Sequence, residues 1–404
     1  MKRLAFISYE YPPDTGKGGI GTYTSQMASC MAQKEGYEVH VFAGSHHREG
    51  LEREGRMQIH RVQCKDPIDF RSRVAEVFEK LHDQQPFHLV ESAEIHGNAW
   101  GIKKKHQELP LVVRMHAPNH LVEVLKKRYV PFTAKLRYLL GALRRGRWDA
   151  GYWRKYRKED DPDYQFAQMA DEITAPSTAM KEWAIKYWRI PEGRISVIPN
   201  LFIPPQPLLG LPVISADPFK RVLFFGRLNV LKGLVKATKA MADVLQRNPE
   251  WRFRVVGDDG AGPYPGITMR EWMKKELRTV SDRVEFIDGV SYNRLPAMLE
   301  DCDIVLLPSL FESFSYTCAE AMAAGKAVVG SRNGGMADLL EGGVCGVLVD
   351  PEKRTEINEA VQYLIGHSSV RRDMAAKARQ RVTEVYGESS VGEAFDKFYR
   401  RVAR

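Results

Sequence analysis

Short apolar runs, rich in β-branched and aromatic residues and closed by Gly, Pro or Asp, alternate with longer helical patterns along the whole 404-residue chain. The first half carries RLAFISY, EVHVFAG, QIHRVQC, HLVES, LVVRMH, EITAPS and ISVIPN. The second carries RVLFFGR, RFRVVGD, VEFIDGV, CDIVLLPS, KAVVGS and CGVLVD. Runs this short and uniformly apolar read as strands buried on both faces, as in parallel sheets whose crossovers are helices. Two successive sets imply an α/β chain with two Rossmann-like, doubly wound domains. The stretch PNLFIPPQPLLGLPV (199–213) separates them, and its five prolines and one glycine interrupt any regular element. The expected organisation is therefore a first domain over 1–200, a linker over 201–213 and a second domain over 214–387. Open α/β sheets hold ligands beyond the carboxyl ends of their strands, so two such domains facing each other would enclose a deep cleft.

Composition excludes several classes. Hydrophobic residues at 44% and charged residues at 27% are those of a folded globular chain, neither disordered nor fibrous. Met1-Lys2-Arg3 runs directly into LAFISY, too short for the apolar region of a signal peptide. No stretch approaches the roughly eighteen uninterrupted apolar residues of a membrane span. The cysteines Cys30, Cys64, Cys302, Cys318 and Cys345 are odd in number and lack C-x-x-C spacing, so neither a disulfide framework nor a metal cluster is expected. A cytoplasmic location fits.

The residues GKGGIG (16–21) match G-x-G-x-x-G, the fingerprint of a dinucleotide loop. A dinucleotide loop turns directly off its strand and has an acidic residue about 20 positions later for the ribose. Here Tyr11 to Thr15 intervene, and the second strand ends in Phe42-Ala43-Gly44 without a carboxylate. A nicotinamide oxidoreductase is disfavoured on both counts. Backbone amides free of side-chain obstruction, leading into a helix, still suit an anion. A tight strand-to-helix turn without a ligand fits the motif equally well.

In the second half, GRLNVLKG places Arg227 and Lys232 on the loop after a strand, where a guanidinium fork and an ammonium point charge suit a diphosphate. FESFSYTCAEAMAAGKAVV follows, with Glu312 in a loop and Glu320 in the next helix. The start of that helix, near Ser315 and Tyr316, is expected to offer unpaired amides and the positive end of a dipole.

The ordered set resembles glycosyltransferase family 4, the retaining GT-B enzymes also described as glycosyl transferases group 1. It comprises Gly18-Gly19-Ile20-Gly21, His116 ending LVVRMH, Gly226-Arg227-Leu228 with Lys232-Gly233, and Glu312/Glu320, and it spans nearly the whole chain. Two positions depart from the family pattern. The domain junction reads Ile198-Pro199-Asn200-Leu201 where the family usually has Asn-Gly, and Ser315 stands where a glycine is common.

The resemblance implies a retaining hexosyltransferase that uses a nucleotide-sugar co-substrate, expected to be UDP-linked, with no metal and no other cofactor. Arg227 and Lys232 would neutralise the diphosphate, and Gly18 and Gly19 would approach its second phosphate. Glu320 would accept from the ribose hydroxyls. Glu312, with the amides of Phe314 and Ser315, would bind the donor sugar, and His116 would contact it near the anomeric centre. Val290 and Ser291 would meet the base through main chain, and the last segment (388–404) would cross back to the first domain. Glu94 and His96, after another strand, are expected to line the acceptor side. The acceptor would be a glycan or a lipid-linked glycan. A sugar-nucleotide-binding protein without catalysis is the other reading left by the same residues.

The net charge of +9 is concentrated. Between Val122 and Lys158 stand twelve Lys and Arg against two acids, Glu123 and Asp149, interleaved with Tyr129, Phe132, Leu136, Leu139, Leu140, Leu143, Trp148, Tyr152 and Trp153. Such a stretch reads as a helix at an anionic membrane surface, or equally as solvated helices covering the first sheet. No nucleic-acid-binding motif accompanies it.

Overall fold

The computed structural model describes residues 1–16, 18–146, 153, 155–213 and 219–403. Lys17 of the glycine loop, Trp148, Asp149 and Tyr152 of the basic stretch, and the expected start of the second domain (214–218) lie outside the described residues. The chain forms two compact units. The first comprises Met1–Asn119, Arg157–Ile203 and Thr383–Arg404, and the second comprises His120–Tyr156 and Pro204–Val382.

The first unit is built on a sheet of eight strands: β1 (Lys2–Ser8), β2 (Tyr37–Ser45), β3 (Gly50–Glu54), β4 (Met57–Gln63), β5 (Leu89–Ala93), β6 (Leu111–Arg114), β7 (Glu172–Ala175) and β8 (Ile195–Val197). Their order is β3-β4-β2-β1-β5-β6-β7-β8. All neighbours pair in parallel except β3 with β4. All seven apolar runs of the first half are strands of this sheet. The eighth, β3, is GLERE, an exposed and charged edge with no apolar face to betray it. It folds back on β4 through a turn at Gly55, whose φ of 57° suits glycine.

The second unit holds six strands, all parallel: β9 (Arg221–Phe225), β10 (Arg252–Val256), β11 (Val284–Ile287), β12 (Ile304–Leu307), β13 (Ala327–Ser331) and β14 (Val347–Val349). The order β11-β10-β9-β12-β13-β14 reverses direction between β9 and β12, as the first sheet does between β1 and β5. These are the switch points at which doubly wound sheets open a crevice for ligands. The helix Leu234–Arg247 packs on β9 and β10 because Leu234, Ala237, Met241, Val244 and Leu245 recur every three or four residues and are all buried. Fully burying each large apolar side chain contributes ~1.5–3 kcal/mol, and Phe224, Phe253, Ile304 and Val329 anchor the core.

Residues 383–404 return to the first unit through the helix Glu393–Val402. Tyr399 donates to Glu91 at 2.6 Å, and Tyr23 donates to the other oxygen of the same carboxylate at 2.7 Å. Burial pushes the Glu91 carboxyl up, and the Arg114 guanidinium lies 4.7 Å from the Tyr23 ring centroid. This network ties the chain's last helix to β5 and β6.

Residues 120–156 depart from the expected layout, since the sequence puts them within the first domain and they group with the second unit. The helices Asn119–Arg128 and Phe132–Arg144 bury only Leu121, Leu125 and Ala142. Arg128 pairs with Glu352 at 2.7 Å, and the Lys126–Pro131 stretch walls a cavity of about 590 Å³ with the loops after β9 and β10.

Candidate active site

In the second unit the candidate residues lie on the loops leaving β9 and β12, beside the switch point. The β9 loop is held against β12 by backbone contact. Leu310 donates its amide to Leu231 at 2.8 Å, and a Cβ on Gly233 would stand 1.7 Å from the Pro308 carbonyl oxygen, with φ at 69°. Only glycine fits there. Glu312 is pinned similarly, because Gly335 donates its amide to the Glu312 carbonyl at 2.7 Å while Gly334, at φ 109°, packs beneath it.

This scaffold brings Lys232 and Glu312 together, Nζ to Oε1 at 2.5 Å, each side chain about one-fifth exposed at 23% and 20%. The sequence assigns these two groups to different parts of a ligand; here they are ion-paired. Arg227 is exposed, lines the 590 Å³ cavity, and has no hydrogen bond or ion pair among the described residues. One cation is thus uncommitted while its neighbour is shared with a carboxylate.

Glu320 sits in the helix Tyr316–Ala323 and is only 8% exposed. Burial pushes its carboxyl up to about 7, and a hydrogen bond from Tyr292 offsets part of that rise. Val290 and Ser291 precede Tyr292 on the loop after β11, Val290 half-buried and Ser291 exposed. The helix start is less open than expected: Ser315 is its N-cap and accepts the Cys318 amide at 3.2 Å, so one amide is already satisfied. Phe314 is buried with its ring 5.1 Å from that of Tyr316.

In the first unit the helix Gly19–Gln33 begins at the glycine loop, and its first turn has no side-chain cap and no acidic residue. The first turn therefore brings no side-chain charge of its own, although the Glu10 carboxylate stands against Gly18 at its N-cap. A Cβ on Gly16 would lie 2.9 Å from the Tyr11 backbone, so close packing demands glycine there. A Cβ on Gly18 would lie 3.0 Å from the Glu10 carboxylate.

His116 follows β6 and is buried. Its amide donates to both oxygens of Glu94 at 2.9 Å, and Nδ1 lies 3.0 Å from the Arg114 carbonyl oxygen. A carbonyl only accepts, so Nδ1 carries the proton, and in the neutral ring Nε2 is left as an acceptor. That Nε2 is buried without a partner among the described residues. A buried acceptor of this kind has the capacity to take a hydrogen bond from a hydroxyl donor.

The same geometry corrects the expectation for Glu94. It is fully buried and accepts the His116 amide, shared between its two oxygens, so it positions His116 and does not line an exposed acceptor surface. His96 is exposed at a strained φ of 65°. Asp163 escaped the sequence reading; it accepts the Asn119 amide at 2.8 Å, and burial pushes it up to about 7. Its only signal in the sequence is Asp-Pro-Asp, which reads as a helix start. Among the described residues no group of His, Cys, Asp and Glu is placed to hold a metal ion.

Two doubly wound sheets, parallel throughout except at the edge strand β3, with charged groups and tight glycines on the loops at the second switch point, are the architecture of a GT-B fold. The family model for glycosyltransferase family 4 matches residues 17–202, and that for glycosyl transferases group 1 matches residues 213–381. The chain belongs to glycosyltransferase family 4. Over its full length it is similar to an uncharacterized glycosyltransferase of Methanocaldococcus jannaschii, 22% identical across 98% of each chain. It is also similar to the D-inositol 3-phosphate glycosyltransferase of an Arthrobacter strain, 26% identical across 94% of this chain and 90% of the other. Among solved structures, sucrose-phosphate synthase from Thermosynechococcus elongatus shares the fold at a TM-score of 0.73, 19% identity and 99% coverage of each chain. The Anabaena protein HepE, solved with UDP, shares it at a TM-score of 0.66 and 17% identity, covering 99% of this chain and 100% of the other.

Proposed function

We propose that the chain moves a hexosyl group, with retention, from a UDP-sugar to a glycan or lipid-linked acceptor in polysaccharide or glycolipid biosynthesis. The observation that carries this reading is the charge set beside the second switch point: unpartnered Arg227, the Lys232–Glu312 pair and the buried Glu320 carboxylate. The fold neighbour solved with UDP supports a uridine nucleotide.

Arg227 and Lys232 meet the charge that grows on the diphosphate as the bond to the anomeric carbon breaks, so the step calls for no metal. Glu320 accepts from the ribose hydroxyls, Glu312 and the Nε2 of His116 hold donor-sugar hydroxyls, and the Gly18–Gly19 amides approach the second phosphate. The acceptor oxygen bonds to the anomeric carbon on the face the diphosphate leaves. Its proton passes to the departing phosphate oxygen, so most of the acceleration comes from positioning and charge.

A nicotinamide enzyme is the weaker reading, because β2 ends in buried Phe42, Ala43, Gly44 and Ser45 with no ribose carboxylate. A thermal-shift panel of UDP, GDP, ADP and NAD tests the assignment, since a ligand of the native state raises its apparent stability. UDP should give the largest rise; a rise with NAD alone would reverse the assignment.

The helix Phe132–Arg144 supports a membrane-surface role. Phe132, Leu136, Leu140 and Leu143 are exposed at spacings of three and four, with Lys135, Arg137 and Arg144 among them. A cationic, apolar face of this kind complements anionic lipid. No helix of the described residues is long and apolar enough to cross a membrane. The chain should float with anionic liposomes and not with neutral ones, and a chain left at the bottom with both would remove this role.

A further inference from the structure

Residues 116–119 follow β6, and Asn119 is the last of them in the first unit before the chain passes into residues 120–156 of the second. Any displacement of that excursion would pull on His116 unless the short segment is held at both ends. Buried carboxylates hold it. At the near end the His116 amide donates to Glu94, from the turn after β5, at 2.9 Å. At the far end the Asn119 amide donates to Oδ2 of Asp163 at 2.8 Å. Pro118, between them, has no amide proton to give.

The helix Pro162–Gln168 sets Asp163 in place. Asp161 is its N-cap and accepts the Asp163 amide at 2.9 Å, with Pro162 in the first turn. Farther along, fully buried Phe166 packs against Gly97, where a Cβ would stand 3.3 Å from the ring at a φ of 56°. The helix is thus seated on the turn after β5, and Asp163 also accepts the His96 amide of that turn. One carboxylate, 2% exposed, therefore joins the chain that leaves β5 to the chain that leaves β6.

This carboxylate has no Lys or Arg partner among the described residues. Burial pushes it up, and the Glu94 and Asp161 charges add to the rise against the pull of the two amides. A buried carboxylate beside like charges adds nothing to the stability of the fold as a whole. What it supplies is local: acceptors for the amides of two loops.

We propose that Asp163 is a positioning residue of the transfer reaction: by fixing Asn119 it keeps residues 116–119, and with them the Nε2 of His116, in place for the donor sugar. The proposal rests on the reading of His116 as a donor-sugar contact; the brace itself does not.

The test uses the full chain at pH 8, with hydrogen exchange read on peptides covering residues 113–121 and calorimetric affinities for UDP-glucose and UDP. Asp163→Ala should speed exchange in those peptides at least about tenfold, the loss of a hydrogen bond to a charged group, with exchange in β9 to β14 unchanged. It should weaken UDP-glucose by roughly two- to thirteenfold, as His116→Ala does, and leave UDP unchanged. Asp163→Asn keeps an oxygen for the Asn119 amide and should recover most of both losses. In a His116→Ala background Asp163→Ala should cost no further affinity, a result that a merely structural role would not give. Asn119→Pro removes the donor and leaves Asp163 intact, so it should reproduce the loss of UDP-glucose affinity even where Asp163→Ala fails to fold. Parent-like exchange in Asp163→Ala, or UDP-glucose affinity undiminished in Asp163→Ala and Asn119→Pro, would overturn the proposal. So would an equal loss of UDP affinity, or a full further loss in the His116→Ala background. UDP-glucose affinity undiminished by His116→Ala, with exchange still faster in Asp163→Ala, would remove His116 from the sugar site and leave the brace standing.

Discussion

Replacing Glu320 with Gln should raise stability and lower affinity together. Glu320 is 8% exposed, and burial lifts its carboxyl from 4.5 to about 7 despite the hydrogen bond from Tyr292. An acid whose folded pKa lies above its unfolded one binds protons more tightly in the folded state, so it weakens the fold as pH rises. The penalty is absent below the unfolded value of 4.5 and complete above about 7. A rise of that size corresponds to about 3 kcal/mol. Gln has the same shape and never ionises. Glu320→Gln should therefore match the parent in urea unfolding at pH 4 and exceed it by up to about 3 kcal/mol at pH 8. Gln also loses the charge-assisted hydrogen bonds from a ribose diol, worth ~1.5–3 kcal/mol each, so UDP-glucose affinity by calorimetry should fall at least about tenfold. The diphosphate of UDP-glucose does not titrate near neutrality, so the parent's affinity should itself fall as pH drops through 7 while the variant's stays flat. A variant no more stable than the parent at pH 8 would refute the burial argument. Undiminished affinity would refute the ribose assignment.

Lys232→Ala should lower turnover by about two to three orders of magnitude, the usual effect of removing one group aimed at developing charge, with an unchanged circular dichroism spectrum. His116→Ala should weaken the interaction with UDP-glucose by roughly two- to thirteenfold, the value of one hydrogen bond, while UDP affinity is unchanged, because His116 is assigned to the sugar. Gly233→Ala should cost at least about 2 kcal/mol in denaturant unfolding, since the new methyl meets the Pro308 carbonyl at a left-handed φ.

The parallel strands were legible because burial on both faces leaves an uninterrupted apolar run such as RVLFF or IVLL. The strand GLERE was not, because an exposed edge paired on one side needs no apolar residue. The positions of Arg227, Lys232, Glu312 and Glu320 on loops and a helix after strands followed from the same pattern. Their partners did not. The Lys232–Glu312 pair spans 80 residues and the Tyr399–Glu91 bond spans 308, so neither leaves a local signature. Glu94 was misread for a related reason: position after a strand suggests a ligand-facing group, but its carboxylate is fully buried and accepts the His116 amide, a bond that only the folded sheet creates. The basic stretch carried its charge visibly, yet its grouping with the second unit depends on contacts such as Arg128–Glu352 that no periodicity records.

The central claim is that a nucleotide diphosphate is held by the cations after β9 and by the carboxylate in the helix after β12. A crystal structure of the chain soaked with UDP measures this most directly. The account predicts diphosphate oxygens within hydrogen-bonding distance of both Arg227 and Lys232, and the ribose hydroxyls on Glu320. A nucleotide bound elsewhere, with Arg227 in solvent and Lys232 still on Glu312, would contradict it.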